Sequence, residues 1–150
     1  MKQINDFVFK KIDEMSGREL FCAERLREET FVVEQKITLP ELDDQDLNAV
    51  EVYRLNEDQT NGLATCRIFQ EDGKWMLGRV AVSKKARGMH LGSQMLEAVH
   101  KYLQEKDATS LYCHAQIRVQ PFYDNLGYQV VGKPFDEGGV QHVMMKKDLN

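Results

Sequence analysis

The sequence predicts an α/β fold built on a mixed central sheet, on three observations. Strand-like runs at Val50 to Leu55, Leu63 to Phe69 and Trp75 to Val82 are divided by turn signals at Asn61-Gly62 and Asp72-Gly73, which makes an antiparallel meander. Beyond Val82 the pattern changes to helix alternating with strand. No repeat, low-complexity tract or linker interrupts the 150 residues, so residues 1–150 read as one domain, long enough to bury roughly 70% of the unfolded surface.

Each element has a local cause. Phe7 to Ile12 reads as a short strand, and Ser16 with Glu19 three residues on is a capping box that starts a helix. The helix is expected to run to about Val33, with Cys22, Leu26, Thr30 and Val33 on its inner face and Arg18, Arg25, Glu28 and Glu29 outside. From Glu34 to Asn48 the periodicity dissolves around Pro40 and the acidic residues Glu41, Asp43, Asp44 and Asp46. Their spacing is not that of a calcium loop and there is no loop glycine, so a solvated loop without metal is expected. After the meander, a helix is expected from about Leu91 to Lys106, with Leu91, Met95, Ala98, Val99 and Tyr102 inward. A strand from Ser110 to Ala115 follows, then a short helix bracketed by Pro121 and Gly127, then strands at Tyr128 to Val131 and Val140 to Lys146.

Composition narrows the function. Acidic residues number 24 against 20 basic, with no Lys/Arg run, which argues against a nucleic-acid partner. The stretch Met1 to Lys11 lacks a signal-peptide core and no segment approaches the ~20 apolar residues of a membrane span, so no membrane partner is expected. Cys22, Cys66 and Cys113 are odd in number and far apart, and are read as reduced core thiols of a cytoplasmic protein. The sequence leaves homodimerisation open.

The most informative stretch runs from Gly78 to Gly92, where an apolar strand passes through a basic turn, Ser83-Lys84-Lys85-Ala86-Arg87-Gly88-Met89-His90, into a helix. Such a turn offers unpaired backbone N–H groups at the positive end of a helix, and its glycines admit phosphate oxygens close to the main chain. A pyrophosphate-bearing ligand fits it. Neither of the commoner phosphate motifs, G-x-x-x-x-G-K-S/T or G-x-G-x-x-G, is present.

Here the chain resembles the GNAT superfamily of acyl-CoA-dependent N-acetyltransferases, whose motif at this place is Arg/Gln-x-x-Gly-x-Gly/Ala. Arg87 to Gly92 matches it with His90 in place of the first inner glycine, and histidine tolerates positive φ better than most residues. A second match lies about 25 residues downstream, where Leu111 to Gln116 and then Tyr123, Gly127 and Tyr128 resemble the family's strand, polar residue and Tyr-x-x-x-Gly-Phe/Tyr helix, with Gln116 where Asn is frequent. Phe31-Val32-Val33-Glu34-Gln35 and Gly139-Val140-Gln141-His142 look like the ElaA-like branch, Gln141 standing where proline is usual.

The resemblance implies a sheet that splays between the strand before the turn and the strand after the following helix. It implies acetyl-CoA as co-substrate and an amine acceptor, a small molecule or a peptide. Val80, Ala81 and Val82 would hold the pantetheine arm, and Arg87, Gly88, Met89, His90, Leu91 and Gly92 the pyrophosphate, with Gln116, Phe122 and Tyr123 completing the coenzyme set. Phe122 is also expected to pack in the core. Tyr123 matches the tyrosine beside the coenzyme sulfur, as hydrogen-bond or proton donor, and His142 is the leading base because imidazole titrates near ~6.5. Glu34 through a water, or His114, are the other candidate bases. Arg79 and Arg118 are either anchors for an acidic acceptor or salt-bridge partners. A non-catalytic acyl-CoA sensor on the same fold is the rival reading, kept open by His90 and Gln141; an unrelated binding domain is the other.

Overall fold

Asn5 and Asp6, both at positive φ (51° and 71°), turn the chain between β1 (Lys2–Ile4) and β2 (Phe7–Lys10). The computed structural model describes residues 2–150; Met1, which opens the amino-terminal stretch considered above, lies outside them. The sequence reading held only the second strand of this hairpin. Strand β1 is three residues long and mostly exposed, too short for an alternation to register.

The expected capping box starts α1 (Gly17–Arg27): Ser16 Oγ accepts from the Glu19 N–H at 3.0 Å and the Glu19 carboxylate accepts from the Ser16 N–H at 2.8 Å. The helical run continues to Glu34, but its last seven residues, Glu28–Glu34, are π-helical. That widening changes the predicted face. Cys22, Leu26 and Thr30 are buried as expected, whereas Val33 is 64% exposed, because the wider turn rotates it away from the sheet.

The acidic segment departs furthest from expectation. Asp46 is buried and Glu41 nearly so, because two arginines from regular elements reach them. Arg27, 1% exposed, bonds Glu41 through Nε at 2.8 Å. Its Nη1 lies 2.8 Å from Glu24, 2.9 Å from Asp46 and 3.8 Å from Glu51. The carboxylates of Glu24, Asp46 and Glu51 approach one another as metal ligands would, and the cation among them here is this guanidinium. Arg67 pairs with Asp43 at 2.7 Å and Asp46 at 3.1 Å. Of the four acidic residues that read in the sequence as a solvated run, Glu41 and Asp46 are thus drawn into a buried network and Asp43 joins its edge, while Asp43 and Asp44 are exposed.

Among the described residues eight strands form one sheet in the order β1-β2-β3-β4-β5-β6-β8-β7. Strands β3 (Val50–Leu55), β4 (Gly62–Glu71) and β5 (Lys74–Val82) are the expected meander. Strand β6 (Ser110–Gln116) is parallel to β5, and the hairpin of β7 (Gln129–Glu137) and β8 (Val140–Asp148) adds antiparallel beyond it. Strand β7 outlasts the predicted Tyr128 to Val131; Gly132 at φ 84° and Pro134 interrupt its register, which hides its second half from a pattern reading. Alternation along β3 and β4 sends Val50, Val52, Ala64, Cys66 and Ile68 into the core with α2 (Leu91–Glu105), and Glu51 and Arg67 toward Arg27 on α1.

Helix α2 buries Leu91, Met95, Ala98 and Val99 as predicted, and Tyr102 stacks on Phe9 with ring centroids 4.5 Å apart. His100 on the same helix meets the Tyr128 hydroxyl at 2.7 Å, and burial holds its imidazole down at about 4. The short helix α3 (Gln120–Asn125) follows β6, with proline in its first turn as expected. The three cysteines are buried free thiols, and burial pushes Cys113 up to about 12. Among the described residues no helix is long and apolar enough to cross a membrane.

Removing Arg27 leaves buried carboxylates without their cation, so Arg27→Ala is expected to cost about 3–5 kcal/mol in denaturant unfolding. Glu51 behaves in the opposite sense. Burial, and then its hydrogen bond with Asp46, raise its pKa in the folded state, so the folded chain binds more protons than the unfolded one above the ordinary carboxylate range. Its contribution therefore falls as pH rises above ~4.3. Glu51→Gln is expected to melt higher than the parent at pH 8, with the advantage shrinking toward pH 5.

Candidate active site

Strands β5 and β6 pair through two residues only, Met76↔Tyr112 and Leu77↔Cys113. From Gly78 onward β5 has no partner on that side. A bulge lies at the same point: Thr65 pairs with Ala81 and Arg67 with Gly78, so Cys66 alone faces Arg79 and Val80, and Arg79 takes φ 53°. The strands part, leaving a cleft of about 430 Å³ between them. Val80 lines it, while Ala81 is buried beneath. The free edge of Val80, Ala81 and Val82 is where the resemblance placed a pantetheine arm; one carbonyl there, Val82 O, accepts from Arg87 Nε at 3.2 Å.

At the end of β5 the chain makes one 3₁₀ turn, Lys84–Ala86, and enters α2 through Gly88 at φ 88° and His90 at φ 60°, ψ 24°. His90 is therefore in the left-handed region, which histidine enters more readily than most residues. The first bond of α2 is from the Gln94 N–H to His90 O at 3.0 Å, so the N–H groups of Leu91, Gly92 and Ser93 have no carbonyl within the helix. A Cβ on Gly92 would sit 3.3 Å from the Phe122 ring, so Phe122 of α3 packs directly on the start of α2 and closes the turn against the cleft. This end of the site has unpaired main-chain donors and the positive end of a helix, the two features that favour an anion.

Arg87 and Met89 are exposed at its rim. Arg87 is engaged, with Nη1 and Nη2 each 2.7 Å from an oxygen of Glu34. The same hydrogen bonds hold the Glu34 carboxyl below its usual range, which makes it a poor proton acceptor and places it at the turn rather than at the reacting end.

Tyr123 and His142 both border the cleft. Tyr123 is buried between the rings of Phe122 and Tyr128, with centroids 5.1 and 5.3 Å away, and its hydroxyl has no hydrogen-bond partner among the described residues. Burial pushes its pKa well above 10, so it is a donor. His142 sits on β8 between Gln116 of β6 and Phe135 of β7, 6% exposed. Its Nδ1 is 2.8 Å from Val140 O. A carbonyl only accepts, so Nδ1 carries the proton and the neutral ring presents the Nε2 lone pair.

The sequence reading missed Glu137. Its Oε1 meets His114 Nδ1 at 2.9 Å and its Oε2 lies 3.6 Å from His142 Nε2. The His114 hydrogen bond lowers the Glu137 pKa and raises that of His114. Glu137 faces Val140 across the Gly138-Gly139 turn, so only the full register of β7 could have found it. Gln116 donates to the Gln35 side chain at 3.0 Å, tying the end of β6 to the helix–loop junction. Arg79 is held by Glu41 at 3.1 Å and Asp43 at 3.3 Å, while Arg118, exposed on the cleft wall, makes no hydrogen bond or ion pair among the described residues.

Residues 21–149 match the profile of the acetyltransferase (GNAT) domain. Protein ElaA of Escherichia coli is 29% identical over 143 residues, covering 91% of this chain and 92% of that protein. The crystal structure of Escherichia coli ElaA superposes with a TM-score of 0.83 at 26% identity, covering 94% of this chain and 97% of that one. The crystal structure of an acyl-CoA N-acyltransferase from Pseudomonas aeruginosa gives a TM-score of 0.86 at 29% identity, with 95% and 98% covered.

The left-handed His90 gives a test of the turn. Glycine is free of the Cβ penalty there but loses more entropy, so His90→Gly is expected to change stability by less than about 1 kcal/mol. The β-branched His90→Val should lose about 1–2 kcal/mol. Thermal melts of the two variants would check this, and equal stabilities would contradict the conformation.

Proposed function

The chain belongs to the GNAT acetyltransferase family and is similar to ElaA, and from that premise we propose that it carries an acetyl group from acetyl-CoA directly to the nitrogen of a primary amine on a small molecule or peptide. The observation that supports this reading best is one arrangement: an unpartnered phenol on Tyr123 and an imidazole with its lone pair free on His142, both bordering a cleft that opens beside a phosphate-binding turn.

Gly88 to Gly92 would hold the pyrophosphate through main-chain N–H groups, with Arg87 and Met89 at the rim. The free edge of Val80 to Val82 would align the pantetheine, and Gln116, Phe122 and Tyr123 would close around its end. Bound there, acetyl-CoA supplies an acetyl group activated as a thioester. An alkylamine titrates near ~10.4, so on the order of one molecule in 10³ is neutral at pH 7; the ammonium must lose one proton to become a nucleophile, and the nitrogen loses a second, which leaves with the departing thiolate, once it has bonded to the carbonyl carbon. His142 Nε2 takes the first proton while Nδ1 remains anchored on Val140 O. Tyr123 gives a hydrogen bond to the sulfur position. Its raised pKa makes full proton release uphill toward a thiolate whose acid titrates near ~8.5, so hydrogen-bond donation is its main contribution.

The deciding experiment incubates the protein with acetyl-CoA and a panel of primary amines, following free thiol and the mass of the acetylated product together. Binding of acetyl-CoA with neither thiol release nor product would favour the sensor reading, and thiol release without product would show hydrolysis in place of transfer to an amine. In the same assay Tyr123→Phe should bind acetyl-CoA as the parent does and slow single-turnover transfer by about 10–10²-fold, the worth of one hydrogen bond to a charged group.

His142→Gln keeps a polar side chain of similar reach and removes the titrating nitrogen. It is expected to retain coenzyme affinity, lose transfer rate, and lose the lower inflection of kcat/KM against pH, leaving only the rise from substrate deprotonation. An unchanged profile would move the base to His114 or a water.

A further inference from the structure

Toward the turn, where a phosphate ligand would lie, Arg87 and Lys84 are paired with Glu34 and Arg118 makes no ion pair among the described residues, while Glu137 and Glu71 line the wall beside His114 and His142. Of the other charges at that wall, Arg79 is held by Glu41 and Asp43 and Arg67 by Asp43 and Asp46. Building on the acetyl-transfer reading, we propose that Glu137 docks the acceptor's ammonium head beside His142, so that the acceptor is a primary alkylammonium on an apolar body.

The geometry suits one tetrahedral nitrogen. Glu137 Oε2 and His142 Nε2 are 3.6 Å apart, too far to share a hydrogen bond well, and both are acceptors when the imidazole is neutral. A nitrogen ~2.9 Å from each would see them at an angle of about 77°, within reach of two N–H bonds of one ammonium after modest bending. The carboxylate is 44% exposed and is committed through Oε1 to His114 alone, so Oε2 is available. Phe135 stacks on His142 at 5.9 Å and meets His114 edge-on at 5.1 Å, which packs the two rings on either side of the carboxylate. A hydrogen bond from His114 keeps the carboxyl below its usual range and therefore charged at neutral pH.

The apolar body follows from the neighbouring wall. Ile37, Leu39, Phe69 and Met76 line the cleft, and Leu39 lies against the turn itself, with Cδ1 2.9 Å from where a Cβ on Gly138 would stand. An ammonium seated on Oε2 would have its carbon chain beside these side chains. The arrangement also orders events: the amine arrives as its abundant cation, held by charge, and gives its proton to Nε2 only where the acyl group waits.

The experiment compares phenethylamine with 2-phenylethanol, which share a carbon skeleton and differ in ammonium against hydroxyl. Each is titrated calorimetrically at pH 7.5 into the protein saturated with CoA, for the parent and for Glu137→Gln, with melting temperatures recorded alongside. The parent should bind phenethylamine at least tenfold more tightly than the alcohol, and the variant should bind the two within about twofold. Glu137→Asp, with the carboxylate withdrawn by one methylene, should fall between. Equal affinities in the parent, no binding of phenethylamine, or an undiminished preference in a folded Glu137→Gln would overturn the proposal. Failure of CoA to bind would instead count against the acetyl-CoA reading, and the same titrations on the free protein would still decide the role of Glu137.

Discussion

Strands β5 and β6 share two residue pairs, and where their pairing stops decides what the rest of the molecule can do. Parallel strands that kept their ladder past Leu77 would spend every main-chain group between Gly78 and Val82 on the sheet, and no cleft would exist. The bulge at Arg79 and Val80 turns β5 away at that point. Everything downstream inherits the direction. The 3₁₀ turn leaves the end of β5, α2 begins with its free N–H groups at the mouth of the opening, and α3 returns from β6 to lay Phe122 on that helix start and Tyr123 at the cleft.

A buried cation fixes the other wall. Arg27 reaches from α1 to Glu24, Glu41 and Asp46, and so joins the helix, the acidic segment and the β3–β4 face in a single contact set. Desolvating a guanidinium is costly, and it is tolerated because nearly all its donors are matched. The carboxylates differ in how they bear the arrangement. Asp46, bonded by Arg27, is held well below its usual range, whereas burial pushes Glu24 up to about 7 and Glu51 further still. Protons therefore share with the arginines the task of balancing charge. The cleft depends on this network, because Glu41, Asp43, Arg67 and Arg79 line it and pair with one another there.

The two histidines that line the cleft illustrate how a main-chain acceptor orients a ring. Val140 O engages His142 Nδ1, which settles the tautomer without any charged partner and turns Nε2 toward the cleft. His114, by contrast, takes its partner from the Glu137 side chain and is raised by it. On neighbouring strands of the sheet, one is oriented by backbone and the other by charge.

The sequence by itself determined what neighbours in the chain decide. Ser16 and Glu19 lie within one helical turn, the glycine turn of Gly88 to Gly92 is a local conformation, the inner face of α2 follows from its period, and Tyr123 and His142 stand in motifs that can be matched in one dimension. Tertiary structure alone decided what depends on partners far along the chain. The acidic segment looked solvated because nothing near it in sequence reveals Arg27, 14 residues from Glu41, or Arg67, 24 residues from Asp43. Val33 left the predicted face because π-helical turns have a period that an α-helical reading does not follow. Glu137 escaped notice because its strand is broken in register, and its meeting with His142 exists only once β7 and β8 have paired. Hydrogen-bond ladders and charge pairs act across space, and a linear pattern records only the part of them that falls within a turn or a strand.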